Sequence, residues 1–387
     1  MGEVATSLGP MHCHHFDAGR CRSCAWLPRP YDEQVAAKQE RCSSALEAYS
    51  GLVWAVPFAS AETAFRNKAK MVVTGSVETP ALGILGDGSS GVDLRDCGIH
   101  EQAIQEALPV LAAFVSRAAL TPYDVVTRRG ELKLVLVTGA PDGSLMVRFV
   151  TRSQEPVARI RKHLPRLQAE LPAMAVVTVN LQPEHKAVVE GPEEIVLSES
   201  SALLMPVNGR TLRLRPQSFF QTNTDVAAGL YREAAAWADA VAPRTVWDLY
   251  CGVGGFAVHL AGPGREVVGV ETSAEAVASA RETAAGLAEP PTFEAADATA
   301  WALARRDDPD LVVVNPPRRG IGTDLARRLE ESSVPSVLYS SCNPDSLARD
   351  LAAMPSLVPE RARLFDMFPH TDHAEVLVLL GRSGRTT

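Results

Sequence analysis

Cys342 stands directly after a predicted strand, in a position where its sulfur could act as a nucleophile. The strand is Ser336–Tyr339, and an Asn-Pro turn beginning at Asn343 follows the cysteine. Because ligands of doubly wound sheets bind at the carboxyl ends of strands, a thiolate here would face the ligand crevice. A small buried cysteine is the alternative reading, since that is common for this residue type. The position favours catalysis by Cys342.

A strand that runs into a glycine-rich turn precedes this region. Residues 246–256 read Val-Trp-Asp-Leu-Tyr-Cys-Gly-Val-Gly-Gly-Phe. Glycines such as Gly252 let the backbone approach a ligand closely and adopt positive φ. Asp248 stands ahead of them, where a carboxylate can face a cationic amino-acid group. Cys251, the rival nucleophile within the turn, is expected to pack, because a nucleophile there would crowd the ligand.

Two further acids indicate which ligand the turn holds. Glu271 ends the next predicted strand, where an acid can accept hydrogen bonds from both ribose hydroxyls. Asp297 follows a short strand-like segment, near where an adenine would lie. An NAD-binding fold, or a turn of this kind without a ligand, is the alternative. The three acids together favour S-adenosylmethionine.

The next predicted strand, Leu311–Val314, is followed by Asn315-Pro316-Pro317. The prolines stiffen this loop, and Asn315 offers an amide beside the cofactor or the base to be modified. The same loop is central to methyltransferases that act on exocyclic amines. The loop therefore places Asn315 in the predicted site, but it does not identify the reaction.

A thiolate beside a methyl donor suits methylation of a poor carbon nucleophile such as C5 of uracil. Addition of the thiolate to C6 makes an enolate whose C5 can attack the methylsulfonium, and a base must then remove the C5 proton. Glu375, at the entry to the last predicted strand, is the candidate base. An ordinary strand-edge acid is the alternative reading, and His370 and His373 are the other candidate bases.

The N-terminal cysteines indicate a second kind of site. Four thiolates can be supplied by Cys13, Cys21, Cys24 and, further along the chain, Cys97. Because the sequence shows no export signal, these cysteines are more typical of metal ligands than of disulfides. By count, four thiolates suit zinc and an iron–sulfur cluster equally well. Cys42 is the alternative fourth ligand, although it lies in a polar, helical stretch. Nearby histidines favour zinc slightly: His12, His14 and His15.

The net charge of −8 argues weakly against a nucleic-acid partner, because phosphate contacts usually need a basic surface. Three basic clusters in the first half of the chain could still contact phosphates, although clusters of this kind are more often simply exposed to solvent. They lie at residues 66–70, at residues 128–129 and at residues 159–166.

No apolar run approaches the roughly 18–20 residues of a membrane span. The first ten residues, Met1–Pro10, lack a secretory signal, and a second start is available at Met11, so they can be an extension. We therefore expect a cytoplasmic protein that does not associate with membranes.

The elements that must position these residues alternate between strands and helices. Amphipathic spacing predicts helices at His100–Ala119 and Glu155–Glu170, and a polar helix is expected at Asp32–Tyr49. From about Arg213 the alternation predicts a parallel sheet with crossover helices. The strands expected in the first half are Lys70–Gly75, Leu132–Val137, Leu145–Val150, Val176–Leu181 and Ala187–Glu190, and those in the second half are Thr245–Leu249, Glu266–Val270, Leu311–Val314, Ser336–Tyr339 and Val376–Leu380.

We predict an α/β protein in three parts. Residues 11–50 form a cysteine-rich segment that can bind a metal, and residues 51–205 form a central α/β domain. Residues 206–387 form a Rossmann-like methyltransferase domain that uses S-adenosylmethionine.

Five motifs in order resemble those of the uracil-C5 RNA methyltransferases, and the match runs along nearly the whole chain from Met11. The motifs are Ser218-Phe219-Phe220-Gln221-Thr222-Asn223, Asp248-Leu249-Tyr250-Cys251-Gly252-Val253-Gly254-Gly255, Asn315-Pro316-Pro317-Arg318-Arg319-Gly320, Ser340-Ser341-Cys342-Asn343 and Phe368-Pro369-His370-Thr371. The resemblance implies Cys342 as nucleophile and Glu375 as base. It implies four cofactor-binding residues: Gln221, Tyr250, Glu271 and Asn315.

The chain resembles most the branch of the family that acts on 23S ribosomal RNA and carries an iron–sulfur cluster. The early cysteines leave no room for an N-terminal TRAM domain, as in the shorter members that methylate uracil 747. The resemblance implies a [4Fe–4S] cluster on Cys13, Cys21, Cys24 and Cys97. It implies that residues 11–50 form a cluster-binding segment with its fourth ligand at Cys97, and that the central domain, residues 51–205, binds RNA. It also implies 23S ribosomal RNA as partner, with no obligate protein partner evident, and a target uracil that leaves its stack. The alternatives are another ribosomal or tRNA uracil, or a noncatalytic RNA-binding protein on a methyltransferase fold.

Overall fold

The computed structural model describes residues 11–86, 91–186 and 188–383. These residues form two units, one of residues up to Cys24 with Ala61–Met205, the other of Ala25–Ser60 with Pro206–Thr387. The boundary after Cys24 divides the cysteine-rich N-terminal segment between the two units. The ten-residue extension predicted before Met11 lies outside the described residues.

The elements are numbered along the chain. The helices are α1 (His14–Asp17), α2 (Tyr31–Ala45), α3 (Gln102–Arg117), α4 (Val157–Glu170), α5 (Thr224–Val241), α6 (Gly255–Leu260), α7 (Ala274–Ala284), α8 (Ala298–Ala304), α9 (Gly322–Glu330) and α10 (Pro344–Ala352). The strands are β1 (Val53–Trp54), β2 (Lys68–Gly75), β3 (Pro80–Leu85), β4 (Gly91–Asp93), β5 (Leu132–Gly139), β6 (Leu145–Thr151), β7 (Met174–Leu181), β8 (Glu193–Val196), β9 (Leu203–Val207), β10 (Arg210–Leu214), β11 (Thr245–Leu249), β12 (Glu266–Glu271), β13 (Thr292–Ala295), β14 (Leu311–Val314), β15 (Ser336–Ser341), β16 (Leu357–Phe365) and β17 (Glu375–Arg382).

The first unit is a seven-stranded sheet in the order β4-β3-β2-β5-β6-β7-β8. All its pairs are antiparallel except β6 and β7, which α4 connects as a crossover helix. Residues Ile104, Leu108, Leu111 and Val115 recur at helical spacing in α3 and are fully buried against the strands. The two predicted helices of this unit are therefore confirmed, each two residues shorter at its start.

One predicted strand of the first unit is wrong. Val188, Val189 and Glu190 are not in a strand, and Ala187 lies outside the described residues. The edge strand is instead β8, which pairs antiparallel with β7 after Gly191 and Pro192. The Asn180 side chain binds the backbone of Gly191 on both sides, accepting from its N–H at 2.7 Å and donating to its carbonyl at 3.0 Å. A tertiary hydrogen bond thus decides where the edge strand begins.

The second unit is an eight-stranded sheet in the order β1-β16-β17-β15-β14-β11-β12-β13. Strands β11 to β15 are parallel, as the alternating pattern predicts. The expectation of a wholly parallel sheet is wrong, because β17 lies antiparallel between β15 and β16. Strand β16 carries Pro359 and charged residues at a register shift, so its sequence lacks a strand signal. No described helix is long and apolar enough to cross a membrane.

Candidate active site

The carboxyl ends of the parallel strands of the second unit bring the predicted site residues to one edge of the sheet. Tyr250 follows β11, Glu271 ends β12, Asn315 follows β14 and Cys342 follows β15. Neighbouring strands are in register there, with Leu249 beside both Val270 and Val314. The edge is therefore a crevice of the kind in which doubly wound sheets bind ligands.

The antiparallel strand β17 delivers Glu375 to the same edge. Ser341, the last residue of β15, pairs with Val376, so the first residue of β17 lies beside the turn that carries Cys342. The Glu375 carboxylate accepts a hydrogen bond of 2.5 Å from the Ser340 hydroxyl. Burial raises the pKa of Glu375 to about 7, against the lowering effect of that hydrogen bond. The group is therefore balanced between acid and base near neutral pH.

Cys342 is half-buried, and its thiol feels two opposite charges. Burial and then the Glu375 carboxylate raise its pKa, whereas the Arg318 guanidinium lowers it. Arg318 comes from the Asn-Pro-Pro loop, and the Asn343 side chain donates to its carbonyl at 3.1 Å. The loop after β14 is thus held to the turn after β15, and it supplies the cation that stabilises a thiolate.

The alternative nucleophile and bases occupy different surroundings. Cys251 is buried in the glycine turn, and burial raises its pKa well above the ordinary range. His370 is buried, and its ring Nδ1 lies 3.3 Å from Gln34 Nε2. His373 is partly exposed and lies 3.4 Å from Arg318. Of these candidates, Glu375 and Cys342 are the pair coupled electrostatically to one another.

The Asp248 carboxylate lies fully buried beneath the glycine turn. Its Oδ2 accepts from the backbone N–H of Ala257 at 2.9 Å, which fixes the start of α6. Its Oδ1 has no hydrogen-bond partner among the described residues. Burial raises the pKa of Asp248 to about 7, and Glu271 adds to the effect. A buried acceptor without a partner is the feature that a cationic ligand group would satisfy.

The turn itself needs its unusual backbone. Tyr250 has a φ of +64° and Gly252 a φ of +55°, both in the left-handed region. A Cβ on Gly252 would meet nothing within 4 Å, so the space over it is open. The Gly252 N–H donates to Glu271 Oε2 at 3.2 Å, which ties the acid at the end of β12 to the turn.

The remaining predicted cofactor residues are distributed around this turn. Gln221 is buried just before α5. The Tyr250 hydroxyl lies 3.3 Å from that of Thr299, and Asn315 donates its backbone N–H to Leu249. Asp297 is exposed and caps α8 by accepting from Ala300 N–H at 2.8 Å. The Asp297 contact is a structural one.

Three residues of the site escape analysis of the sequence by itself. Ser340 and Arg318 contact or influence the reactive pair, and only the pairing of β14, β15 and β17 brings them there. Phe219 exposes 66% of its surface, although it is a large aromatic residue in a motif. In the sequence, the usable signal was its place in the same motif as Gln221, two residues before it. In the structure, its exposure adds a second signal, since exposed aromatic rings often mark binding surfaces.

The structure gathers the predicted thiols of the first unit. Burial is the largest cause that raises the pKa of Cys24 to about 12, and nearby thiols add to it. Those thiols are Cys97, Cys21 and Cys13. The buried Arg66 guanidinium interacts with Cys24 and Cys97, and its charge opposes theirs. The four predicted ligands therefore share one environment with a compensating cation.

The other ligand candidates from the sequence are Cys42 and the N-terminal histidines. Cys42 is buried in the core of the second unit, among residues that pack on the strands. His14, His15 and Asp96 form a group close enough to hold one metal ion. However, Asp96 already binds both rings, at 3.3 Å from His14 and 2.6 Å from His15.

Known methyltransferases are similar to this chain in sequence and in fold. Residues 306–383 match the family described as tRNA (Uracil-5-)-methyltransferase, and residues 210–333 match the methyltransferase small domain. A solved structure, the tRNA (uracil-54, C5)-methyltransferase of Pyrococcus abyssi in complex with S-adenosyl-L-homocysteine, superposes with a TM-score of 0.79. It is 24% identical and covers 92% of this chain and 85% of its own. That likeness confirms the predicted α/β methyltransferase fold.

Two relatives are similar over nearly the whole chain. A protein of Halothiobacillus neapolitanus named 23S rRNA (uracil(747)-C(5))-methyltransferase RlmC is 50% identical over 379 residues, covering 96% of this chain and 100% of the relative. The Yersinia pestis protein of the same name is 48% identical over 372 residues, with 96% and 99% covered. At this identity and coverage, the chain belongs to the family of 23S rRNA (uracil-C5)-methyltransferases.

Proposed function

We propose that this protein methylates C5 of a uracil in 23S ribosomal RNA, with S-adenosylmethionine as methyl donor and a covalent adduct on Cys342. The observation that carries the proposal is the placement of the Cys342 thiol and the buried Glu375 carboxylate at one sheet edge, where the Glu375 charge raises the pKa of the thiol. The named relatives support uracil 747 as the target. A ribosomal RNA substrate favours action in the cytoplasm.

The residues around the glycine turn fit the proposed methyl donor. The partnerless Oδ1 of Asp248 can accept from an ammonium group, and the open space over Gly252 admits a ligand close to the backbone. Glu271, tied to the turn, can exchange its backbone contact for ribose hydroxyls. When bound, S-adenosylmethionine supplies an electrophilic methyl group.

The reaction then uses this chain's residues in sequence. Arg318 favours the thiolate of Cys342, which adds to C6 of the uracil and makes C5 nucleophilic. After C5 accepts the methyl group, Glu375 removes the C5 proton. The electron pair of that C–H bond restores the C5–C6 double bond, and the sulfur of Cys342 leaves. A pKa of about 7 suits Glu375 to this task near neutral pH.

The target uracil must leave its stack to reach Cys342, which costs a few kcal/mol unless the base stacks elsewhere. Phe219, largely exposed beside the buried Gln221, offers a ring face for that purpose. A looped or single-stranded RNA site suits such extrusion best.

Deletion of the gene is expected to remove one C5-methyl group from 23S ribosomal RNA at the position equivalent to uracil 747. Mass spectrometry of ribosomal RNA fragments measures it, and the wild-type gene restores it. Loss of the methyl group at another uracil, in ribosomal or transfer RNA, would reassign the substrate. Unchanged RNA masses would favour the noncatalytic RNA-binding alternative.

Cys342→Ala is expected to abolish methyl transfer while cofactor binding stays within about twofold, because no thiolate remains to activate C5. Single-turnover transfer of labelled methyl to RNA measures the first quantity, and calorimetry measures the second. Cys251→Ala is the matched control, since this buried thiol lies in the turn and is expected to permit transfer. Transfer by Cys342→Ala, with loss in Cys251→Ala, would exchange the two assignments.

Glu375→Gln is expected to trap enzyme joined to methylated RNA, because C5 accepts the methyl group but its proton has no base. A denaturing gel reports the joined species. Glu360→Gln, an exposed acid on the neighbouring strand β16, is the control and should release product normally. In the wild-type protein, release should increase as pH rises through about 7, where Glu375 becomes a carboxylate. Normal release by Glu375→Gln would transfer the base role to His370 or His373.

We also propose that Cys13, Cys21, Cys24 and Cys97 hold a [4Fe–4S] cluster. The shared environment of these thiols supports it, and the buried Arg66 can offset the negative charge of a thiolate-bound cluster. Four thiolates also suit a single tetrahedral zinc by count, so analysis of the bound metal is needed to separate the two.

Protein purified without oxygen is expected to be brown and to contain about four irons per chain. Serine substitution at any of the four ligands should lower iron and sulfide together, whereas Cys42→Ser should leave both unchanged, because Cys42 packs in the second unit. Elemental analysis decides between the metals. One zinc without sulfide would support a structural zinc site, and metal loss only in Cys42→Ser would exchange the fourth ligand.

A further inference from the structure

Helix α2 buries a polar face. Tyr31, Gln34 and Lys38 are spaced three and four residues apart, so they lie on the same side of the helix. Gln34 and Lys38 are 0% and 1% exposed, respectively, which is unusual for these residue types. Buried polar groups need partners, and the partners of these three identify what the helix holds.

Lys38 and Tyr31 share one carboxylate. The Lys38 ammonium donates to Asp366 Oδ1 at 2.6 Å, and the Tyr31 hydroxyl donates to Asp366 Oδ2 at 2.7 Å. Lys38 also donates to the carbonyl of Phe368 at 2.9 Å. The side chains of Lys38 and Asp366 are both fully buried. Residues from the start of the loop between β16 and β17 are therefore bound by two residues of α2.

Gln34 holds the middle of the same loop. Its Oε1 accepts from the backbone N–H of His370 at 2.8 Å, and its Nε2 donates to the carbonyls of Arg29 and Trp26 at 2.8 and 3.1 Å. The Trp26 N–H donates to the carbonyl of His370 at 2.9 Å. His370 has a φ of +63°, a conformation that persists only where the surroundings enforce it.

This network is a poor source of stability. Burial lowers the pKa of Lys38 even though Asp366 acts in the opposite direction, so the loss of water outweighs the attraction. Buried ion pairs replaced by apolar residues of similar size often leave a protein equally stable or more so. A helix that served only to cover the sheet would present apolar residues at these positions.

The bound loop leads directly to the proposed base. Asp366 follows Phe365, the cross-strand partner of Glu375, and the loop ends where Glu375 begins β17. We propose that Tyr31, Gln34 and Lys38 are positioning residues that fix this loop and thereby hold the Glu375 carboxylate against Ser340 and beside Cys342. The inference rests on the proposed role of Glu375. Misplacement of a reacting group by about 1 Å can cost about 100-fold in rate.

The test separates two steps of one turnover. Lys38→Met removes the ammonium and keeps the length of the side chain. Methyl transfer to RNA is expected to stay within about threefold of wild type, because the turn that carries Cys342 is bound to the loop after β14 through Asn343 and Arg318. Release from the covalent adduct is expected to slow about 10- to 100-fold, so that the joined species accumulates on a denaturing gel.

Two further variants distinguish positioning from stability. Lys38→Met combined with Tyr31→Phe and Asp366→Leu removes the carboxylate together with both of its donors, so this variant should recover the thermal stability lost in Lys38→Met while release remains slow. Tyr31→Phe deletes one hydroxyl and should slow release several-fold. It supplies the test if Lys38→Met does not fold. Asp308→Asn is the control, because it weakens a partly buried ion pair of 2.6 Å with Arg328 of α9, and neither residue belongs to this loop or to α2. It should change stability and neither step.

The outcomes are distinct from those of the proposed function itself. If wild-type protein forms no methylated uracil, the proposed function fails and the positioning role falls with it. If wild-type protein turns over and both Lys38→Met and Tyr31→Phe release product at the wild-type rate, the positioning role alone is overturned. Equal slowing of transfer and release in these variants, matched in Asp308→Asn, would assign the network to stability.

Discussion

The antiparallel pairing of β17 with β15 is the constraint on which the proposed chemistry depends. In a wholly parallel sheet, the first residue of the last strand would lie at the opposite edge from Cys342. The reversed direction of β17 puts Glu375 next to Ser340 and to the turn after β15. A register shift by one residue would turn Glu375 to the other face of the sheet, because side chains alternate along a strand.

In this arrangement the charge of Glu375 affects the proton of Cys342. Burial raises the pKa of Glu375 to about 7, and its charge in turn raises the pKa of Cys342. In the proposed reaction, a protonated Glu375 therefore favours the Cys342 thiolate needed for the first step, whereas the carboxylate form of Glu375 is needed for the last. Arg318 eases this conflict by stabilising the thiolate from the loop after β14. The proton affinities of Cys342 and Glu375 thus depend on how the sheet edge buries Glu375 and on where it places Arg318.

The N-terminal segment takes part in both units of the protein. Cys13, Cys21 and Cys24 belong with Cys97 and Arg66 in the first unit, where the Arg66 guanidinium would offset the charge of metal-bound thiolates. From Ala25 the chain joins the second unit, where Trp26 and then α2 bind the loop before Glu375. The proposed cluster ligand Cys24 and Trp26, a contact of the loop before Glu375, are therefore two positions apart in the chain. The segment thus contributes contacts to two proposed sites.

The sequence by itself determined the parallel part of the sheet, the glycine turn, the Asn-Pro-Pro loop and the candidate thiol, because each depends on short-range patterns. Buried strands such as Leu311–Val314 are apolar runs, and the turns after them carry residues of restricted conformation. Resemblance in five motifs then identified the family, which the relatives confirm. Tertiary structure alone decided the direction of β17, the existence of β16 and the place of β8. It also decided the partners of Glu375 and the buried polar face of α2. The reason is physical: the direction of β17 depends on its pairing with β15 and β16 rather than on its own residues. The burial of Lys38 depends on Asp366, 328 positions away, which no local pattern reports.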